Sequence, residues 1–237
     1  MEYQTIQLRE REDRIGIITL NRPDKRNALS IMMRNEISAC LSSWAEAARV
    51  SLVIVTGAGD TFSAGFDLKE FGQPKLMEEI YKSSSQYHRI LWNFPKPTIA
   101  AINGPALGGA FDLTTLCDIR VCTPQTVFGH PEIKFGGPPL FTPLRWIVGD
   151  GLARDLCLTG RRIDSAEAYR IGLVSEVVEN GDDLINRAVS IGKIILEAPV
   201  ETLAYVKSYL VGNPGKNFEE SFYIEHDEPF QKMILKI

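Results

Sequence analysis

The 237-residue sequence predicts an α/β fold, and three observations carry that expectation. A strand–strand–helix order recurs over residues 3–44, around 52–93 and over 98–117. Two strand-to-helix junctions are glycine corners, Phe62-Ser63-Ala64-Gly65-Phe66-Asp67 and Ala106-Leu107-Gly108-Gly109-Ala110-Phe111-Asp112. From about residue 140 the apolar spacing turns almost wholly helical. The recurrence is a period of structure rather than a demonstrable sequence repeat. The length suits one domain with an appendage, read as a core over 1–195 and a helical segment over 196–237.

Each element has a local reason. Residues 3–20 read as two strands joined by the charged turn Arg9-Glu10-Arg11-Glu12-Asp13-Arg14, the second being Ile15-Gly16-Ile17-Ile18-Thr19-Leu20. Residues 21–27 form a loop punctuated by Pro23 and two asparagines. Ser30 caps a helix whose apolar stripe, Met33, Ile37, Cys40, Leu41 and Trp44, steps by three and four. Leu52-Val53-Ile54-Val55-Thr56 is a buried-type strand ending at Gly57-Ala58-Gly59. A short helix follows the first corner, and a helix over 76–93 is closed by Pro95 and Pro97. Residues 98–103 are a strand, 107–117 a helix, and 119–122 and 127–128 strands. Helices are expected over 140–148, 151–159, 165–171, 182–196, 199–211 and 217–236, the last bent or interrupted at Pro229. Gly160-Arg161-Arg162-Ile163-Asp164-Ser165 reads as a turn capping the third of these, and residues 174–178 as a lone strand. Met32, Met33, Trp92 and Trp146 read as core.

Composition narrows the function. Hydrophobic residues are 44% and charged residues 24%, values of an ordinary globular protein that exclude a disordered chain. A net charge of −4 gives no electrostatic basis for binding nucleic acid. Four cysteines without a CxxC pair read as buried thiols of a reducing compartment, and three histidines at unrelated spacings suggest no metal. Met1-Glu2-Tyr3-Gln4-Thr5 is neither apolar nor Arg/Ser-rich, and no apolar run reaches membrane-spanning length. A soluble, cytoplasmic protein is expected.

The second corner concentrates the chemistry. A strand, a turn, two glycines and a helix start expose bare backbone N–H groups where the helix end favours an anion. Asp112 lies three residues past Gly109, about one turn on, and Glu132 twenty residues further. An anion-binding backbone corner with two acids is equipped to make and protonate an enolate. His130, beside the second acid, reads as a surface or packing residue, Asp118 as a structural pair, and His226 as surface or subunit interface.

The ordered pieces make a larger pattern. They are Asn21-Arg22-Pro23 with Lys25, Asn27, Ala28 and Leu29, then the first corner, Lys96-Pro97-Thr98-Ile99-Ala100-Ala101 and Asn103-Gly104. Leu107-Gly108-Gly109-Ala110, Cys117-Asp118-Ile119-Arg120, Pro131-Glu132, Leu158-Thr159-Gly160, Ala166-Glu167-Ala168 and Gly172-Leu173-Val174 complete it. Across nearly the whole chain this order resembles the crotonase (enoyl-CoA hydratase/isomerase) superfamily. The resemblance implies a spiral of ββα turns, a helical C-terminal region that serves oligomerisation or covers coenzyme A, and a homotrimer or hexamer. It implies an acyl-CoA thioester as substrate, no other cofactor, and no nucleic-acid or membrane partner. By position, the N–H groups of Phe66 and Gly109 would bind the thioester oxygen, with Gly108 beside them. Asp112 and Glu132 would be the paired acids, and Lys25, Ala28, Ala64, Asp67 and Leu68 would hold the coenzyme A end.

Three departures separate the activities the resemblance allows. Asp112 is one methylene shorter than the Glu usual in hydratases, and Leu140 stands where dienoyl-CoA isomerases that use Asp carry a third acid. The run Lys134-Phe135-Gly136-Gly137-Pro138-Pro139-Leu140-Phe141-Thr142-Pro143 is apolar and stiff, a drier wall that favours isomerisation or C–C chemistry over water addition. The first reading is enoyl-CoA hydratase. The alternatives are an enoyl- or dienoyl-CoA isomerase, an acyl-CoA decarboxylase or a β-dicarbonyl hydrolase. Against a non-catalytic binding homologue stand both acids and both glycine corners.

Overall fold

The computed structural model describes residues 3–179, 181–212, 215–229 and 231–232. In chain order the elements are β1 (Ile6–Glu10), β2 (Ile15–Leu20), α1 (Ile31–Glu46), β3 (Leu52–Gly57), α2 (Leu68–Phe71), α3 (Met77–Trp92) and β4 (Thr98–Ile102). Then come β5 (Ala106–Leu107), α4 (Gly109–Leu116), β6 (Ile119–Cys122), β7 (Val127–Gly129), α5 (Phe141–Val148) and α6 (Asp150–Thr159). The chain continues through β8 (Arg162–Asp164), α7 (Ser165–Arg170), β9 (Glu176–Val177), α8 (Leu184–Ile195), α9 (Val200–Gly212) and α10 (Phe218–Phe222).

Six strands form one sheet in the order β1-β2-β3-β4-β6-β9. The charged turn makes β1 and β2 an antiparallel hairpin, and every later pair in this sheet is parallel. Parallel neighbours need long crossovers, which α1, α3 and α4 supply. Both faces are therefore covered at the centre, where β2, β3 and β4 are almost wholly buried and largely apolar. Val53 and Val55 pack with Met33, Leu41, Trp44, Tyr87 and Phe111 on one face. Leu52, Ile54, Ile99 and Val121 pack on the other against Leu184, Ala188 and Val189 of α8.

A second sheet, β5-β7-β8, carries the site. Its existence corrects two expectations. Residues 106–107 pair with β7, so α4 starts at Gly109 rather than 107. Residues 162–164, expected as a turn, pair antiparallel with β7, Ile163 opposite Phe128. Ile163 alone turns inward, which is too little apolar pattern to announce a strand.

Local caps set the ends of α1. Ser30 Oγ accepts from Met33 N at 3.2 Å and the Glu70 carboxylate from Ile31 N at 2.9 Å, satisfying two orphan donors. At the other end Lys96 Nζ donates to the carbonyls of Trp44, Ala47 and Val50 at 2.5, 2.9 and 2.7 Å. Arg34 is wholly buried, donating to Leu29 O and Ser83 Oγ with its guanidinium 4.5 Å from the Phe66 ring.

Met33 is core as expected, but Met32 and Trp146 are each 46% exposed. Met32 lies off the stripe of α1, and Trp146 packs on half-buried Trp92 at 5.4 Å. The last helix changes pitch ahead of Pro229 rather than breaking: α10 passes into a π-helical turn, Tyr223–Asp227, and residues 228–229 are again helical. Residue 230 and residues 233–236 of that expected helix lie outside the described residues. All four cysteines are buried and free, and burial pushes Cys40, Cys117 and Cys122 up to about 12. Among the described residues no helix is long and apolar enough to cross a membrane.

Candidate active site

The two glycine corners meet. Ser63 N donates to Pro105 O at 3.0 Å and Leu107 N to Ser63 O at 3.1 Å, stitching the first corner to β5. Gly65 has φ 90, and a Cβ there would fall 2.5 Å from Leu107 O and 3.3 Å from Gly109 N, so the approach admits only glycine. Gly108 N is taken by Gly129 O at 2.9 Å, which pins the second corner to β7. Among the described residues the N–H groups of Phe66 and Gly109 have no hydrogen-bond partner. For Gly109 this follows from its place at the first turn of α4. The Phe66 ring lies over Gly109 and stacks on Phe71 at 6.2 Å.

Both acids converge beside this corner. Asp112 projects from the first turn of α4, and Glu132 from a 3-10 turn, Pro131–Phe135, closed by Gly136. The Glu132 carboxylate lies over Gly108. Asp112 is 7% exposed, and burial pushes its carboxyl up to about 7. Glu132 pushes it the same way, while His130 and the Leu140 N–H pull it down.

Between the acids stands His130, fully buried and stacked on Phe111 at 4.6 Å. Its Nδ1 lies 2.9 Å from Glu132 Oε1, and its Nε2 lies 3.8 Å from Asp112 Oδ1. Asp112 Oδ1, Glu132 Oε2 and His130 Nε2 are buried without a protein hydrogen bond among the described residues. Sequence reasoning placed His130 on the surface or in packing. No local signal marks it, because Pro131 and Glu132 open a 3-10 turn and the burial of His130 comes from Phe111 and Asp112 on α4.

One donor atom from each of Asp112, His130 and Glu132 lies within 4.8 Å of the others, a spacing that can gather a cation. His130 Nδ1 is already engaged with Glu132, and paired acids handle protons without an ion.

The remaining expected residues form one rim. Lys25 is exposed and pairs with Asp24 at 3.1 Å, Ala28 is half-buried, and Ala64 and Leu68 are exposed. Ala64 N donates to Arg26 O at 2.9 Å and Leu29 N to Gly65 O at 2.8 Å, so the loop and the first corner are one unit. Asn27 is the buried anchor, its Nδ2 donating to Ala58 O and Thr61 O. The Asp67 side chain is occupied, accepting from Arg22 at 3.0 Å and from Lys69 N at 3.2 Å as the cap of α2. Asp118 is structural as expected, accepting from Thr98 N and from buried Lys207 at 2.7 Å.

The sequence matches the enoyl-CoA hydratase/isomerase family over residues 10–233. A relative from Mycobacterium tuberculosis, "Probable enoyl-CoA hydratase echA8", is 40% identical over 79% of this chain and 74% of its own. A "Short-chain-enoyl-CoA hydratase" of Clostridium acetobutylicum is 37% identical over 84% of this chain and 78% of its own. Among solved structures, an enoyl-CoA hydratase from Bacillus anthracis superposes with a TM-score of 0.91 at 30% identity, covering 98% of this chain and 92% of that one. With the family matched almost end to end and the fold shared, the chain belongs to the enoyl-CoA hydratase/isomerase family of the crotonase superfamily and is an enzyme.

Proposed function

We propose that this enzyme is an enoyl-CoA hydratase, a lyase that adds water across the double bond of a 2-enoyl-CoA thioester. The observation that carries the reading is the meeting of Asp112 and Glu132 around one buried imidazole beside the double glycine corner. As water adds at the β carbon, enolate charge develops on the thioester oxygen. The N–H groups of Phe66 and Gly109 donate to that oxygen, and fixed donors of this kind cost roughly 3–4 kcal/mol each when removed. Glu132 is the main acid/base, taking the water's proton and returning it to the α carbon. Asp112, held near neutral pH by burial, orients the water. The rim of Lys25, Ala28, Ala64, Asp67 and Leu68, with Gly108 at the corner, holds the coenzyme A end. The enzyme works as a cytoplasmic homotrimer or hexamer and takes no cofactor beyond the thioester.

One observation favours a second reading, isomerisation or C–C chemistry. Leu140, at the start of α5, brings only its backbone N–H to Asp112, and the wall leading to it is apolar. The deciding experiment follows the conjugated-enoyl absorbance of a panel of 2-enoyl-CoA thioesters, with Glu132→Gln as control. Decay in the wild type and at least 100-fold slower decay in the variant supports hydration. A flat trace with crotonyl-CoA bound overturns it and turns the assay to β-keto and malonyl-type thioesters.

A further inference from the structure

We propose that His130 is a positioning residue that holds the Glu132 carboxylate through an Nδ1 hydrogen bond and faces Asp112 only across 3.8 Å, so that the two acids meet substrate under different constraint. The inference rests on the reading of Asp112 and Glu132 as the reacting acids, and goes beyond it by assigning what sets them apart.

The geometry allows few arrangements. Nδ1 at 2.9 Å from Glu132 Oε1 is a hydrogen bond, and with an ionised Glu132 the proton belongs to the imidazole. That leaves Nε2, buried and unpaired, facing buried and unpaired Asp112 Oδ1 at 3.8 Å. At 3.8 Å these two atoms face each other at ion-pair range without a hydrogen bond, so the ring is anchored at Glu132 and not at Asp112.

The surroundings keep the unit isolated. The groups facing it are Asp112 on α4, Glu132 on its own turn, Cys157 on α6 and Tyr87 on α3. Burial pushes Cys157 up to about 11 and Tyr87 well above its ordinary value, so both stay neutral at working pH. Phe111 closes one ring face. Gly160 backs the His130 carbonyl closely enough that a Cβ there would lie 2.7 Å from it, which leaves the turn no room to swing.

Two arms test the proposal. In the first, 15N-histidine NMR is recorded on the substrate-free protein, where only His88, His130 and His226 contribute. The expected result is a His130 Nδ1 that carries its proton in a hydrogen bond, with its 15N signal moved in Glu132→Gln and far less in Asp112→Asn. A His130 signal that ignores Asp112→Asn and Glu132→Gln overturns the proposal whatever reaction the enzyme performs. The second arm uses side-chain geometry: an Asn amide nitrogen falls near the Nδ1 position and a Gln amide nitrogen near Nε2. His130→Asn should keep KM within about threefold while moving the limb of the kcat–pH profile. His130→Ala should lose at least 100-fold in kcat, of which His130→Asn recovers at least tenfold. Wild-type kcat and pH profile in both variants overturn the proposal. If no thioester reacts, the assigned function fails and the NMR arm still decides the hydrogen bond to Glu132.

Discussion

Asp112 carries a consequence for stability that is separate from catalysis. An ordinary aspartate ionises near 3.8, and burial raises this one to about 7. Below pH 4 the folded and unfolded chains are both protonated, so the group is neutral in the balance. Between pH 4 and 7 the unfolded chain releases the proton while the folded one keeps it, and stability falls as pH rises. The shift corresponds to about 4 kcal/mol by linkage. Asp112→Asn should therefore gain on the wild type in urea melts from pH 4 to pH 8, and a difference independent of pH would refute the argument. At Arg34 the expected sign is opposite. Arg34→Met leaves Leu29 O without its donor and Glu70 without its 3.7 Å counter-charge, and should cost on the order of 3 kcal/mol. Thermal melts beside kcat would separate lost stability from a displaced Phe66.

At the scale of elements, the corner depends on approach more than on backbone angle, and two glycines distinguish these. Gly65 and Gly136 share a left-handed φ, 90 and 86. A Cβ on Gly136 meets nothing within 4 Å, whereas on Gly65 it strikes the Leu107 carbonyl. Gly136→Ala should cost about 1–2 kcal/mol, the ordinary penalty of that conformation. Gly65→Ala should cost clearly more and abolish turnover, because the two corners must part. Equal melting temperatures for the two variants would contradict this. The same contrast explains what was legible in the sequence. The stripe of α1, its Ser30 cap and the apolar run of β3 are local signals, and they appear where expected. So do both acids, because a one-turn spacing and an ordered motif fix them. β5 and β8 are two and three residues long and exist because β7 lies between them, a fact no window of sequence holds. His130 was hidden for the same reason: its burial comes from Phe111 and Asp112, residues on a different element.

For the whole molecule, the surface and the thiols make separate statements. The C-terminal helices expose Ile194, Val206, Leu210 and Tyr223, and α5 exposes Trp146. Of these, Trp146 and Leu210 line one shallow pocket, and the proposed trimer would need such apolar side chains at its subunit contacts. Sedimentation should give a mass of three or six chains, and a single-chain mass would remove the trimer from the proposed function. The buried cysteines, in turn, report global unfolding. All four should resist a thiol reagent in the native protein and react together in urea, at a rate set by opening of the core. Rapid labelling of one thiol in native buffer would show a local opening that the packing does not provide for.

The N–H groups of Phe66 and Gly109 belong to the main chain, and this alters how the enzyme can be inherited and how it should be surveyed. A codon change at position 66 replaces the ring and leaves the donor in place, so a growth-selected library would score the position as tolerant. Only proline, which lacks the N–H, deletes the donor by genetic means. An amide-to-ester exchange introduced by chemical synthesis is the cleaner deletion, since it keeps the ring on Gly109. If the corner binds the thioester oxygen as proposed, a lineage of such enzymes can exchange the side chain at position 66 and keep both donors.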